Sequence, residues 1–317
     1  MAPNKIRLGI SSCLLGEKVR YDGQHKLDRY LRDTLGQFVE WVPVCPEVEC
    51  GLPVPREAMR LVGDLESPHL VTRKTGIDYT EQMLTWARQK LKELEKQELC
   101  GFIFKSKSPS SGMRNVKVYK EPGSVTPKGI GLFAREFMRT FPLLPVEDEG
   151  RLHDAALREN FIERIFVYQR WRELLYNRKS LHGLSIFHGN HKLLTMSHSP
   201  QLLRELGALV AGGKKMEQDT LFSRYITTFM AGLIHRATIK KNTNVLQHIM
   251  GYFKKNITTD EKSELLEVID NYHKGYIPLI VPIVLLQHYV RKYKEPYLQK
   301  QYYLHPHPLE LMLRNHV

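Results

Sequence analysis

The segment at residues 42–56 constrains this chain most, because it concentrates cysteine, glutamate and proline in one short stretch. It runs Val-Pro-Val-Cys-Pro-Glu-Val-Glu-Cys-Gly-Leu-Pro-Val-Pro-Arg, with three prolines after Val44. Proline interrupts helix interiors and is excluded from central strands, so we predict a rigid, irregular loop. A rigid loop that carries both thiols and carboxylates is predicted to be part of a functional site and not of the core. Its candidate functional residues are Cys45, Cys50 and Glu47.

The chain has 317 residues, a formal net charge of +13 at pH 7 and a pI of about 9.5. Its length predicts about two domains, and its 42% hydrophobic and 26% charged residues are typical of a globular protein. The excess of positive charge favours a polyanionic partner, above all nucleic acid. A basic globular protein without such a partner is the alternative.

The longest apolar run, residues 277–286, is too short to span a bilayer and contains two prolines, so no membrane partner is expected. The first residues lack the pattern of a secretory signal. We therefore predict a cytoplasmic protein with reduced thiols, in which cysteines beside glutamates indicate metal binding or catalysis. No obligate protein partner is inferred.

The first half alternates strand and helix patterns. Strands are predicted at residues 5–10, 37–44 and 100–105, and helical spacing occurs at residues 25–35, 79–96 and 128–140. Residues 46–75 are predicted to be loop. Polar loops begin at Ser11, Cys45 and Ser106, directly after the three strands. We predict a doubly wound, mainly parallel α/β domain at residues 1–145, with these loops at the sheet edge where ligands bind.

The second half has helical patterns only. Residues 142–150 are rich in proline and acidic side chains and are predicted to be a linker. The helices are predicted at residues 151–176, 181–196, 201–212, 217–237, 238–253, 259–275 and 278–293. Thr259 or Asp260 is the expected N-cap of the sixth helix. Residues 146–317 are therefore predicted to form an all-α domain.

Three of the four cysteines suggest a metal centre. Cys13 lies in the first loop, and Cys45 and Cys50 form a C-x4-C pair, which is not a zinc-finger spacing. Three thiolates at loop ends suit a [4Fe–4S] cluster bound at three irons, with the fourth iron open to substrate. Spacing alone does not separate this cluster from three unrelated cysteines. Cys100 lies in an apolar strand and is predicted to be a core residue, but it remains a spare candidate ligand.

Four ordered motifs carry a resemblance to a known family. They are Ser11-Ser-Cys-Leu-Leu-Gly16, Val19-Arg-Tyr-Asp-Gly23, Cys45-Pro-Glu-Val-Glu-Cys-Gly-Leu52 with Pro55-Arg56, and Lys105-Ser-Lys-Ser-Pro-Ser-Ser-Gly112. Together they resemble the TudS-type thiouracil desulfidase family. The second half, with His182-Gly-Leu-Ser-Ile-Phe-His-Gly-Asn-His-Lys192, resembles the YbgA-like domain of the longer members, called RudS. The resemblance implies a [4Fe–4S] enzyme that removes sulfur from thiolated uracil without redox chemistry; for the fused form it implies 4-thiouridine in tRNA.

One motif departs from the family pattern. The short members carry their third cysteine in Ser-Pro-Ser-Cys-Gly, where this chain has Ser111, and they have glycine where this chain has Cys50. The resemblance therefore implies that a ligand has moved between loops, with Cys13, Cys45 and Cys50 as the cluster ligands. Ser111 is then free to contact substrate.

The residues also fit the chemistry of desulfuration. A thiocarbonyl sulfur is soft, and an open iron polarises it as a Lewis acid. The water that replaces sulfur needs a base, for which Glu47 is the first candidate. The hydroxyl of Ser108 or Ser110 is the candidate donor to the ring nitrogen or to the departing sulfur.

Further residues are candidates for contact with RNA. The basic ones are predicted to bind phosphates and Tyr21 to stack on a base, whereas a solvated rim is the alternative. Arg56 has bracing of the loops as its second interpretation. The set is Arg20, Tyr21, Arg56, Lys105, Lys107, Arg114 and Lys117 in the first half, and His188, His191 and Lys192 in the second.

Two other functions stay open at this point. The same chemistry on free thiouracil or thiouridine nucleotides is the nearest alternative. A non-catalytic RNA-binding protein with a structural metal is the alternative of another class. A radical enzyme is disfavoured because the C-x3-C-x2-C run of that class is absent.

Overall fold

The computed structural model describes residues 6–120 and 123–316. The chain forms two compact units, one ending at His153 and the other beginning at Asp154. This division lies later than the predicted boundary at residues 145 and 146, because Val146–Asp148 forms a strand of the first unit. Most of the segment predicted as a linker therefore belongs to the first fold. Within the described ranges, no helix has the length and apolarity needed to cross a membrane.

The described part of the first unit contains eight strands and three α-helices. The strands are β1 (Ile6–Ser11), β2 (Val39–Val44), β3 (Met59–Gly63), β4 (Pro68–Thr72), β5 (Phe102–Phe104), β6 (Val116–Lys120), β7 (Ser124–Gly129) and β8 (Val146–Asp148). The helices are α1 (Pro46–Glu49), α2 (Thr80–Lys96) and α3 (Leu132–Thr140). Of the helix predicted at residues 25–35, the structure keeps a π-helical turn at Tyr30–Thr34 and the start of the 3₁₀ turn Leu35–Gln37.

A fully parallel sheet carries the loops of interest. Its strand order is β2-β1-β5-β8, and every neighbouring pair is parallel. Gly9 allows β1 to lie close to the core, because a Cβ there would be 2.1 Å from a ring carbon of Phe102. Phe102 and Phe104 pack against Phe133 and Phe137 of α3. The carboxyl ends of β1, β2 and β5 therefore share one edge, which confirms the predicted α/β class.

A second, mixed sheet lies in the region predicted to be loop. Its order is β4-β3-β6-β7, with β3 and β6 parallel and the two outer pairs antiparallel. Leu61 and Leu70 of this sheet are buried with Met83 of α2 and Leu132 of α3. The prediction of loop at residues 46–75 was wrong, because β3 and β4 bury every second residue, although their apolar and polar residues do not alternate strictly.

The described part of the second unit is helical throughout, as predicted. Its helices are α4 (Ala155–Arg178), α5 (Leu181–His198), α6 (Pro200–Ala211), α7 (Gln218–Leu233), α8 (Ile239–Tyr252), α9 (Thr259–His273), α10 (Ile280–Lys292) and α11 (Pro296–Gln299). Thr258 is the N-cap of α9 and forms a capping box with Glu261. The cap therefore lies just before the predicted Thr259 or Asp260.

A buried ion network ties the end of the chain to α4. Arg314 Nε donates to Glu159 Oε1 at 3.0 Å, and Arg314 Nη2 lies 3.6 Å from Glu163 Oε2. His198 Nε2 lies 2.6 Å from Glu163 Oε1. Burial raises the pKa of Glu163, but His198 and Arg314 outweigh burial, and the net pKa is lowered. The charges satisfy one another, as buried ions must.

Two histidines predicted to contact RNA lie in the core of the second unit. His191 is 0% exposed, lies 2.7 Å through Nδ1 from the Phe187 carbonyl and packs on Tyr302. His188 is 5% exposed, with Nδ1 3.1 Å from the Tyr225 hydroxyl. RNA cannot reach an enclosed imidazole, so these two predictions were wrong. Lys192 is exposed and stays a predicted contact.

The buried imidazole of His188 makes stability depend on pH. Burial, with a smaller effect of Lys192, lowers the pKa of His188 from 6.5 to about 4. The unfolded chain therefore takes up a proton below about pH 6.5 that the folded chain does not bind. We expect the thermal unfolding midpoint to fall between pH 6.5 and 4.5, and to fall less in His188→Gln. The exposed His182→Gln is the control, and equal slopes in all three proteins would contradict the assignment.

Candidate active site

A cavity of about 330 Å³ lies where β1, β2 and β5 end. Three loops build its wall: residues 11–13 after β1, 45–47 after β2 and 105–111 after β5. Residues 19–26, which fold back over the first loop, also line it, because the Lys26 amide donates to the Cys13 carbonyl at 2.9 Å. The parallel sheet thus brings together segments that lie far apart in sequence.

Two thiols face this cavity. Cys13 and Cys45 line it, and they are only 8% and 9% exposed. Burial raises the pKa of Cys13 to about 11, with Lys105 opposing the effect. Burial, reinforced by Glu47, raises the pKa of Cys45 to about 12. Both thiols are therefore protonated at neutral pH unless a metal displaces the protons.

Cys50 lies behind α1 and is not among the residues that line the cavity. Its thiol donates to the Glu47 carbonyl at 3.2 Å, and its side chain packs on the core of the second sheet. Cys100 is 4% exposed at the amino end of β5, opposite the cavity. Of the two remaining thiols, only Cys50 lies at the cavity's end of the sheet.

Two side chains on the cavity wall carry the type of donor atom that binds iron in iron–sulfur clusters. Cys13 and Cys45 offer the soft sulfur ligands that iron–sulfur clusters use, and the hydroxyl of Ser111 shares the same wall. In the described part of the chain, no three or more His, Cys, Asp or Glu side chains are arranged to hold a single metal ion. The structure therefore places two of the three predicted cluster ligands, Cys13 and Cys45, on the cavity wall, and all three stay predictions.

Glu47 joins the loop after β2 to the loop after β5 and, through Arg56, to Val19. Its Oε1 accepts a hydrogen bond from the Ser110 hydroxyl at 2.6 Å, and its Oε2 lies 3.7 Å from the Cys45 sulfur. Arg56 lies 3.8 Å from the same Oε2 and donates to the Val19 carbonyl at 3.1 Å. Pro46 at the first position of α1 starts the helical turn that places Glu47 on the cavity wall. These contacts suit the predicted bracing role of Arg56, and because Arg56 also lines the cavity, its phosphate contact stays a prediction.

The serine loop forms a short hydrogen-bonded chain. Ser108 Oγ accepts from the Ser111 amide at 3.1 Å and lies 3.0 Å from Ser110 Oγ. Ser110 is fully buried, whereas Ser108 and Ser111 line the cavity. The hydrogen-bonded chain Glu47–Ser110–Ser108 thus connects a carboxylate to a hydroxyl that lines the cavity.

The lining of the cavity is strongly basic. It contains six cationic side chains and one carboxylate, Glu47; the cations are Arg20, Lys26, Arg56, Arg73, Lys105 and Lys107. Lys105 pairs with Glu149, and Arg20 pairs with Asp22 at 3.3 Å. Of the other residues predicted to contact RNA, Tyr21 and Lys107 are exposed and line the cavity. Arg114 is exposed but does not line it.

Sequence reasoning missed Lys26 and Arg73. Arg73 follows β4, and its amide donates to the Ala58 carbonyl at 2.9 Å, which places it at the cavity. The residues of β4 do not alternate strictly between apolar and polar types, so no clear pattern located Arg73. No sequence pattern pointed to Lys26 either, because it reaches the mouth of the cavity only where the chain folds back over Cys13.

Comparisons with known proteins agree with this architecture. The family model described as 2-thiouracil desulfurase matches residues 8–149, and the model of the protein family of unknown function DUF1722 matches residues 192–308. The uncharacterized YbgA of Escherichia coli (strain K12) is 31% identical over 153 residues, which are 48% of this chain and 90% of YbgA. The chain belongs to both families. The predicted fusion of a thiouracil desulfidase domain with a YbgA-like domain is confirmed.

Two further relatives match about the length of the desulfurase-family unit. The uncharacterized YbbK of Bacillus subtilis (strain 168) is 30% identical over 108 residues, which are 32% of this chain and 71% of YbbK. The solved structure of a [4Fe-4S]-dependent thiouracil desulfidase, TudS, is 32% identical and covers 49% of this chain and 97% of TudS, with a TM-score of 0.40.

Gly131 is predicted to hold the serine loop in place. A Cβ at this position would lie 2.5 Å from the Ser110 carbonyl carbon and oxygen, which are backbone atoms. We expect Gly131→Ala to displace the loop, lower the free energy of unfolding by about 1–3 kcal/mol and weaken the Ser110–Glu47 contact. Urea denaturation measures the loss. Gly251→Ala, where a Cβ meets nothing within 4 Å, is the control, and equal stability of both variants would contradict this role.

Proposed function

We propose that this protein is an iron–sulfur-dependent desulfidase that converts 4-thiouridine in tRNA to uridine and releases hydrosulfide. Membership of the 2-thiouracil desulfurase family supports desulfuration. The observation that carries the proposal is the 2.6 Å hydrogen bond between Ser110 and Glu47, beside two buried thiols at the wall of one cavity. The site thus combines soft metal ligands, a base and hydroxyl donors.

Cys13, Cys45 and Cys50 would hold a [4Fe–4S] cluster in this proposal. Cys50 is preferred to Cys100 as the third ligand, because Cys100 lies at the opposite end of β5. When bound, the cluster supplies a thiophilic Lewis acid for the thiocarbonyl sulfur. Replacement of sulfur by oxygen consumes one water and releases hydrosulfide and a proton, so no electron transfer is required.

The remaining steps belong to the chain's own residues. Glu47 takes the proton of the attacking water, and the hydrogen bond from Ser110 fixes the orientation of its carboxylate. Ser108 faces the cavity and donates to the ring nitrogen or to the departing sulfur. Arg56 holds the carboxylate and the segment at Val19 in one arrangement. Positioning of this kind contributes to rate because the reacting groups need no further ordering.

The basic mouth supports a nucleic acid as substrate. Lys26, Arg73 and Lys107 are exposed at the cavity, where they are placed to contact the phosphates next to an inserted nucleotide. The cavity volume of about 330 Å³ is large enough for a base or a nucleotide. Free thiouracil or a thiouridine nucleotide is therefore the second candidate substrate. Comparing kcat/KM for thiolated tRNA and for free 4-thiouridine separates the two.

Glu47→Gln tests catalysis directly. We expect anaerobically reconstituted wild-type protein to release hydrosulfide from thiolated tRNA, and Glu47→Gln to lower kcat by about 10²–10⁴-fold because the base is lost. Its iron content should match the wild type. Glu95→Gln, at an exposed position of α2, is the control. Full turnover by Glu47→Gln would remove Glu47 as the base, whereas no turnover by the wild type would favour a non-catalytic RNA-binding protein with a structural metal.

Serine substitutions test the ligand set. We expect Cys13→Ser, Cys45→Ser and Cys50→Ser each to lose iron and acid-labile sulfide after reconstitution, because each removes a thiolate ligand. Cys100→Ser should keep both, since its thiol is away from the cavity. Elemental analysis and the visible absorption spectrum provide the measurements. A Cys50→Ser protein with full iron content would remove Cys50 from the set.

A further inference from the structure

One face of the second sheet is not covered by the core. The alternate residues Met59, Leu61, Leu70, Val116 and Val118 are buried in the cluster that includes Met83 and Leu132 of the helices. The residues between them point to the other side, where they are half-buried or exposed. We call this side the open face; its residues are Arg60, Val62, His69, Val71, Lys117, Tyr119 and Val125.

The open face combines an aromatic ring with positive charge. The Arg60 guanidinium lies 5.2 Å from the centroid of the Tyr119 ring, and Val62 pairs with Tyr119 across β3 and β6. Lys117 is exposed on the same strand, two residues away. The seven residues include no carboxylate. A sheet surface with the Tyr119 ring, two cations and three valines, beside a His69 that contacts Asp78, offers stacking and phosphate contacts together.

The open face is continuous with the mouth of the cavity. Ala58 and Met59 line the cavity, and Arg60 is the next residue of β3. Arg73 also lines the cavity, beside Ala58, and Arg60 pairs with Val71 two residues before it. Three cations, Arg73, Arg60 and Lys117, therefore lie on or directly beside this sheet, with Arg73 at the cavity.

We propose that the open face binds single-stranded RNA that flanks the nucleotide in the cavity. This inference rests on the proposed function, because it extends the substrate of the same site. A base stacks on Tyr119, and phosphates contact Arg60 and Lys117. Single-stranded RNA exposes both its bases and its phosphates, and recognition through aromatic rings on sheet surfaces is a known physical mode for it. The three valines of the face are too few and too scattered among charges for a lipid surface.

Binding of a labelled, unthiolated single-stranded RNA to the full chain tests the surface. Fluorescence anisotropy should show Kd rising by about 5- to 150-fold in Tyr119→Ala, the range expected for one stacked base. Lys117→Gln should weaken binding and reduce the slope of log Kd against log salt by about 0.7, as for one phosphate of a single strand. Lys92→Gln, at an exposed position of α2, should leave both quantities unchanged.

Tyr119 is half-buried, so Tyr119→Ala carries a risk of misfolding. Lys117 is exposed, so Lys117→Gln tests the same surface without that risk. Unchanged RNA affinity in both folded variants would overturn the proposal. Tight binding of the wild type to anionic phosphatidylserine vesicles, lost in Lys117→Gln while RNA binding persists, would overturn it in favour of a lipid partner. Circular dichroism confirms folding of each variant.

Turnover distinguishes failure of this inference from failure of the proposed function. Both variants should raise KM for thiolated RNA and leave hydrosulfide release from free 4-thiouridine unchanged, because neither residue lines the cavity. If the wild type releases no hydrosulfide from any substrate, the proposed function fails, and loss of RNA affinity in the variants still supports the open face. If turnover occurs and the Kd for RNA is the same in both variants as in the wild type, only this inference fails.

Discussion

The contact between Glu47 and Ser110 is the interaction on which the site depends. It joins the loop after β2 to the loop after β5, and Arg56 connects the same carboxylate to Val19 beyond β1. These segments are neighbours only because parallel strands place their carboxyl ends at one edge. The Glu47 carboxylate, together with Arg56, therefore connects the loops after β2 and β5 and the segment at Val19, whose relative positions local sequence alone leaves undetermined.

The sequence was most informative where local chemistry and periodicity coincide. The strand that ends at Cys45, the helix at residues 80–96 and the helices of the second unit follow from patterns within a few turns of chain. The second sheet depends instead on β3 pairing with β6, which lies more than fifty residues away. Lys26 reaches the site through one backbone hydrogen bond, to Cys13. Such long-range contacts leave little trace in a local pattern.

Burial explains why a histidine-rich segment was misinterpreted. A surface helix has one apolar face, but α5 buries residues around much of its circumference, because Leu193, Leu194 and Ser197 are buried as well as the side that carries His188, His191, Thr195 and His198. Polar residues on such a helix satisfy one another or the backbone, as His198 does with Glu163. Composition alone suggests a binding surface there, whereas packing on several sides produces a core that contains polar groups.

Charge and burial have separate roles in the first unit. Burial raises the pKa of the Cys13 and Cys45 thiols, which therefore give up their protons when a metal binds. Cations concentrate at the exposed rim, where Lys26, Arg73 and Lys107 remain hydrated. A polyanion is attracted to such a rim over a distance of about 8 Å at physiological ionic strength, whereas thiol chemistry acts only in contact. The arrangement therefore separates capture of a charged substrate from the reaction of one of its bases.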